Sequence, residues 1–232
     1  MIRLKAIVIN GSPRMEKGNT AFILAPFIEG MQEAGCEVNL FYASAPNIKP
    51  CNCSIMYCWT KNPGECCIKD DMQMLYPLLR EADILILATP VYIPLPGDMQ
   101  NFINRLCPLL DPVLKFEDGR TRARFRENVN IKKIALVSAS GWWELGNFDV
   151  VVHIVKELAK NANAEFAGAV LRPHAYFMKS KAISDADKKE VLDALKKAGS
   201  ELVNEGKMHK KTLESISRPL ISEKEILQIY NS

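Results

Sequence analysis

Five short apolar runs, at residues 4–9, 37–42, 84–89, 133–138 and 165–172, constrain the fold of this chain more than any other feature. Residues 84–89 read Ile-Leu-Ile-Leu-Ala-Thr, with no polar side to face water. Runs this short and this continuously apolar are the mark of strands covered on both faces. Longer amphipathic stretches at 20–34, 70–81, 97–106, 148–161 and 184–205 lie between and after them and predict helices.

Strands that alternate with helices require crossover connections, which build a parallel sheet with helices on both faces. The predicted fold class is α/β: a flavodoxin-like three-layer sandwich with a five-stranded parallel sheet of order 2-1-3-4-5. Ligands of such sheets sit beyond the carboxyl ends of the strands, at the topological switch point. One domain over residues 1–205 accounts for the pattern. It carries a Cys-rich insertion at 48–68 and a charged insertion at 108–130, expected to be irregular. Residues 206–232 form a C-terminal extension expected to dock on the core or on a neighbouring subunit, its Arg218-Pro219-Leu220-Ile221 suiting the latter.

The 232 residues are 48% hydrophobic and 25% charged, enough for a large core under a solvated surface. A net charge of +3 gives no reason to expect a nucleic-acid partner. No apolar stretch is long enough to span a bilayer, and a strand begins at once where a secretory signal would stand. A reducing, cytoplasmic setting is expected. In that setting the cysteines at 51, 53, 58, 66 and 67 read as metal-binding or redox-active rather than as a disulfide framework. Cys36 and Cys107, in apolar contexts, read as buried fillers.

Three loops follow strands one, three and four. The first, Asn10-Gly11-Ser12-Pro13-Arg14 with Gly18-Asn19-Thr20, joins a buried strand to a helix start. Exposed backbone N–H groups and the helix dipole favour an anion there. Ser12, Asn19 and Thr20 add neutral donors, and Arg14 a charge-assisted one. The loop is neither G-x-G-x-x-G nor a G-K-[ST] phosphate loop, and its mostly uncharged donors suit a phosphate monoester such as that of FMN. The second, from Thr89 to Gly97, combines prolines with Val91, Tyr92 and Ile93 into a stiff apolar wall fit to face a flat ring. The third, Ser138-Ala139-Ser140-Gly141-Trp142-Trp143, offers close backbone approach and two tryptophans, for a ring, a subunit interface or a core anchor.

Taken in order, Gly11-Ser12-Pro13-Arg14, Gly18-Asn19-Thr20, Asp70-Asp71-Met72, Thr89-Pro90-Val91-Tyr92 and Pro96-Gly97 through Arg105 resemble the flavodoxin-like NAD(P)H-dependent FMN reductases, a family that includes the iron–sulfur flavoproteins. The resemblance runs from about Leu4 to Leu171. It implies FMN with its phosphate at Ser12, Pro13, Arg14, Gly18, Asn19 and Thr20, and its ring near Pro90, Val91, Tyr92, Ile93, Ser140, Gly141 and Trp142. It implies hydride transfer from NAD(P)H as co-substrate to the flavin, and onward to a quinone, a small molecule or a protein acceptor. A homodimer or homotetramer is expected. No acid–base residue is assigned; His153 and His174 read as structural, and Asp70-Asp71 as a helix cap.

Iron–sulfur flavoproteins carry a compact Cys-x-x-Cys-x-x-Cys and a fourth cysteine. Here the order is Cys51-x-Cys53-x4-Cys58-x7-Cys66-Cys67. The count suffices for a [4Fe–4S] cluster on Cys51, Cys53, Cys58 and Cys66, with Cys67 as a substitute, but the spacing departs from the pattern. Two readings stay open: cluster ligands, or reduced structural or redox-labile thiols. The functional alternatives are an electron carrier with a ferredoxin-like partner and a non-catalytic redox-sensing module.

Overall fold

The computed structural model describes residues 3–53 and 56–231. In chain order the elements are β1 (Lys5–Asn10), α1 (Asn19–Glu33), β2 (Glu37–Tyr42), α2 (Tyr57–Thr60), α3 (Met72–Glu81), β3 (Ile84–Pro90), α4 (Gly97–Asn104), β4 (Leu110–Glu117), β5 (Arg120–Phe125), β6 (Lys133–Ala139), α5 (Asp149–Asn161), β7 (Glu165–Arg172), α6 (Asp185–Glu205), α7 (Lys210–Ser217) and α8 (Glu223–Asn231). The main sheet has the order β2-β1-β3-β6-β7, parallel throughout. This is the predicted 2-1-3-4-5 arrangement, and the fold is flavodoxin-like.

The central strands divide their side chains between two cores with the period of two that a pleated strand imposes. Ala6, Val8, Ile84, Ile86 and Ala88 face the side covered by α1 and α6, where Phe27, Met31, Leu195 and Leu202 pack. Ile7, Ile9, Leu85 and Leu87 face the other side, against Met72 and Leu79 of α3, Met99 and Phe102 of α4, and Val151 and Val155 of α5. Two glycines let α1 and α6 approach closely: a Cβ on Gly30 would lie 1.8 Å from the Lys196 carbonyl oxygen, and one on Gly199 would lie 2.0 Å from that of Phe27.

Residues 108–130 are not irregular. They hold an antiparallel hairpin, with β4 and β5 joined at Asp118-Gly119, both at positive φ. A twisted two-residue turn requires that backbone, and an Asp-Gly pair supplies it. The hairpin is held to the domain by Arg122, buried against Glu157 and Asn161 of α5 at 3.0 Å each.

The C-terminal residues lie against their own chain. Arg218 donates to Asp187 and Glu190 of α6 at 2.8 Å. Trp143 Nε1 donates to the Ile221 carbonyl at 2.9 Å, and Ile221 and Ile226 pack with Phe177 and Ile183. Among the described residues no helix is long and apolar enough to cross a membrane.

Candidate functional site

The chain leaves β1 toward β2 on one side and returns to β3 on the other, which opens a crevice beyond the carboxyl ends of these strands. The loops after β1, β3 and β6 meet there. Gly11 N–H donates to the Ala88 carbonyl at 2.7 Å, and Val91 N–H to that of Ala139 at 2.9 Å, so each loop is tied to the next strand. Ser140 N–H donates to the Arg172 carbonyl and Ala175 N–H to that of Ser140, which brings in the loop after β7.

The first loop is shaped by its own side chains. Asn10 Oδ1 accepts from Ser12 N–H at 2.9 Å, and Ser12 Oγ accepts from Arg14 N–H at 3.3 Å. Gly18 closes the turn: a Cβ there would lie 2.5 Å from Ser12 Oγ. Helix α1 then begins at Asn19, and its first turn leaves backbone N–H groups without intrahelical acceptors. The second loop has a cis peptide between Ile93 and Pro94, and Tyr92 N–H donates to the Pro94 carbonyl at 3.0 Å.

A cavity of about 220 Å³ lies between these loops. Ser12, Arg14, Asn19 and Thr20 line one end, and Pro90, Val91 and Tyr92 one wall. Ser140 and Gly141 close it, together with Ala139 and Ala175. Nine of the thirteen residues expected at a flavin therefore line one hollow. The other four do not line it: Pro13 and Ile93 face solvent, Gly18 acts through the loop turn, and Trp142 turns outward to Tyr230 of α8, 6.4 Å between ring centres. Ala139 and Ala175 escape sequence reading because an alanine carries no chemical signal. One cation and no carboxylate line the cavity. Thr20 Oγ1 is buried and finds no hydrogen-bond partner among the described residues. A buried hydroxyl left unpaired is costly unless a ligand completes it. The donor set thus fits FMN: neutral hydroxyl and amide groups, one arginine and a helix N-terminus for the phosphate, and an apolar wall for the ring.

Below the third loop the site rests on a buried basic junction. Arg172 and His174 are both fully buried and hydrogen-bonded to each other. Arg172 also donates to the carbonyls of Pro173, Ile216 and Arg218. Burial, and then the Arg172 charge, push His174 down to about 3, so it is a neutral acceptor, and it receives the Leu220 N–H at 3.2 Å. The backbone N–H of His174 donates to the Trp142 carbonyl at 2.7 Å. His174 is structural, as expected, and it joins the tail to the third loop. His153 is exposed on α5.

The cysteine segment is framed by a buried ion pair. Arg105 grips Asp70 with two bonds, and its guanidinium also reaches the carbonyls of Lys49 and Ile68 at the two ends of the segment. Asp70 does accept the Met72 N–H at 3.1 Å, but its main partner is Arg105, which sequence reading missed.

Within that frame the thiols gather near Cys107, whose sulfur lies within electrostatic reach of Cys51, Cys53, Cys58 and Cys66. Cys58 is buried and shares a hydrogen bond with Cys107; that bond and burial raise Cys58, while the same bond lowers Cys107. Cys107 is half-buried rather than a filler, and its carbonyl accepts from Trp59 Nε1 at 2.9 Å. Cys53 accepts the Tyr57 N–H at 2.9 Å and bonds with Cys67, and Cys66 bonds with Tyr76. Among the described residues no three His, Cys, Asp or Glu side chains converge where a metal ion could sit. Among the described residues the thiols are thus neighbours without the convergence on one centre that the four thiolates of a [4Fe–4S] cluster need.

Comparison with known proteins agrees with this architecture. An iron–sulfur flavoprotein of Archaeoglobus fulgidus is 37% identical over 107 residues, 45% of this chain and 46% of the relative. An iron–sulfur flavoprotein of Methanocaldococcus jannaschii is 34% identical over 119 residues, 50% of this chain and 58% of the relative. The chain thus spans about half the length of the curated relatives it matches. Among solved structures, an NAD(P)H:quinone oxidoreductase from Methanothermobacter marburgensis superposes with a TM-score of 0.59 at 14% identity, over 87% of this chain and 98% of the other. An FMN-dependent NADH-azoreductase from Bacillus anthracis, solved in complex with FMN, gives 0.59 at 11% identity, over 87% and 100%. At such identities these two establish the fold. The family model for NADPH-dependent FMN reductase matches residues 4–183, the whole of the main sheet and all three loops, and the chain belongs to that family.

Proposed function

We propose that this protein is an FMN-dependent oxidoreductase that draws electrons from NAD(P)H and passes them to a quinone, another small molecule or a protein acceptor. The observation that carries the reading is the cavity between the loops after β1, β3 and β6, with neutral donors, a single arginine and the unpaired Thr20 hydroxyl at one end and Pro90-Val91-Tyr92 at the other. FMN, when bound, supplies the hydride and single-electron chemistry. The chain's own residues hold and orient it. Ser12, Arg14, Asn19 and Thr20 would take the phosphate, and the stiff second loop would bound the ring and exclude water from one side. With no carboxylate, cysteine or histidine lining the cavity, the protein's contribution is position and a positive field.

The direct test is purification of the protein, the visible spectrum and FMN released on denaturation. Anaerobic addition of NADPH or NADH should then bleach the flavin band. Colourless protein that does not bind added FMN contradicts the reading. Bleaching by a reduced ferredoxin and by neither nucleotide favours the electron-carrier alternative, which the names of the curated relatives suggest. Light scattering tests the expected homodimer or homotetramer.

A further inference from the structure

We propose that Cys58 and Cys107 form a redox-modification site, a dithiol that hydrogen peroxide converts to a disulfide joining the cysteine segment to the end of α4. The site is independent of flavin and of any metal. Cys58 lies on α2, and Cys107 lies just beyond α4, two residues past Arg105. Helix α2 packs on the turn that holds Cys107, with Trp59 on the Cys107 carbonyl, and this sets the Cys58 thiol beside that of Cys107, nearer in its effect than Cys51, Cys53 or Cys66. Three contacts hold that juxtaposition. Trp59 Nε1 reaches the Cys107 carbonyl at 2.9 Å, the Cys58 carbonyl accepts the Gly64 N–H at 2.9 Å, and Arg105 fastens both ends of the segment through Lys49 and Ile68.

The two sulfurs differ in access. Cys58 is 8% exposed, while Cys107 is half-buried and is the one a small oxidant reaches first. The Cys107 sulfur gives an electron pair to one peroxide oxygen, the O–O bond breaks, and a sulfenic acid and one water result. The Cys58 sulfur then attacks the sulfenic sulfur. The S–S bond forms as the hydroxyl leaves with the Cys58 proton as a second water. Two thiols lose two electrons in total and one peroxide gains them. A disulfide needs its sulfurs about 2 Å apart, so closure draws together two groups that already touch. The bridge would tie the cysteine segment to the far end of the helix that begins at the second flavin-site loop.

Reduced, full-length, FMN-loaded protein is exposed to a small excess of hydrogen peroxide, alkylated, and digested with chymotrypsin, which cuts after Tyr57 and separates Cys58 from Cys51 and Cys53. The expected result is a Cys58–Cys107 cross-linked peptide as the main disulfide, absent from Cys58→Ser and Cys107→Ser. The oxidised protein should melt several degrees higher than the reduced one, with no such rise in Cys107→Ser. The wild-type peptide map stands on its own if a variant fails to fold. Sulfinic acid at Cys107 without cross-link would overturn the proposal, as would Cys58 bridged mainly to Cys51, Cys53, Cys66 or Cys67. Anaerobic isolation with about four iron and four sulfide per chain, lost in Cys58→Ser, would overturn it in favour of a cluster.

Discussion

Arg105 and Asp70 meet as a buried, two-pronged ion pair, Nη1 to Oδ2 at 2.6 Å and Nη2 to Oδ1 at 3.0 Å, with both side chains shielded from water. The pair closes the base of the cysteine segment, because the same guanidinium binds the Lys49 and Ile68 carbonyls. Removing one partner leaves a buried charge unmatched, which costs about 3–5 kcal/mol. Arg105→Ala and Asp70→Asn should each lower unfolding stability by that order, measured by urea denaturation. A loss below about 1 kcal/mol would mean that water reaches the pair.

The pair also sets an acid limit. Burial alone would raise the Asp70 carboxyl, but the bonds from Arg105 and the Lys49 N–H outweigh it and hold the group below its ordinary 3.8. A carboxyl lowered in the folded state contributes stability above its unfolded value and loses it as pH falls through the folded one. The stability gap between wild type and Asp70→Asn should therefore be constant above pH 5 and shrink below about 3.8. Urea midpoints between pH 3 and 6 check this.

His174 gives an opposite case on the same axis. Folded, it stays neutral down to about 3, because burial and the Arg172 charge oppose a second proton. Unfolded, it binds that proton near 6.5. The unfolded chain is thus favoured as pH falls below 6.5, by about 1.4 kcal/mol per pH unit until the folded group titrates. Replacement by Gln, which retains an acceptor for the Leu220 N–H, should flatten the stability profile between pH 6.5 and 4.

In the cavity between the three loops the unpaired Thr20 hydroxyl gives a specific expectation for the proposed FMN site. Thr20→Val keeps the shape and removes the donor, so FMN affinity should fall roughly tenfold, for a loss of about 1.4 kcal/mol, with little change in melting temperature. Arg14→Ala should cost more, about 1.5–3 kcal/mol, and weaken the salt dependence of binding. Quenching of FMN fluorescence measures both. Equal affinity in Thr20→Val and wild type would place the phosphate elsewhere.

The close approach of α1 and α6 can be tested without the site. Gly30→Ala forces a methyl group against the Lys196 carbonyl and should destabilise the fold by about 1–3 kcal/mol or more, seen as a lower urea midpoint.

The sheet was legible because its central strands are covered on both faces and therefore read as unbroken apolar runs. The loops that line the cavity were legible because small and polar residues stand in consecutive positions where a buried strand gives way to a helix. The hairpin at 110–125 was not, since Phe116 and Val113 face solvent and three arginines mask the strand pattern. Its Asp118-Gly119 turn was the signal that could have found it.

Sequence alone thus determined what is local or periodic: the layers, the strand order and the three loops that make the cavity. Tertiary structure decided what depends on long-range contacts between unlike segments. Arg105 with Asp70, Arg172 with His174 and the tail, and Cys58 with Cys107 join residues from separate segments, and no motif states which residue takes which partner. Their chemistry exists only once folding removes water and brings distant side chains within hydrogen-bonding reach, where a lone charge or thiol must take whichever partner the packing provides.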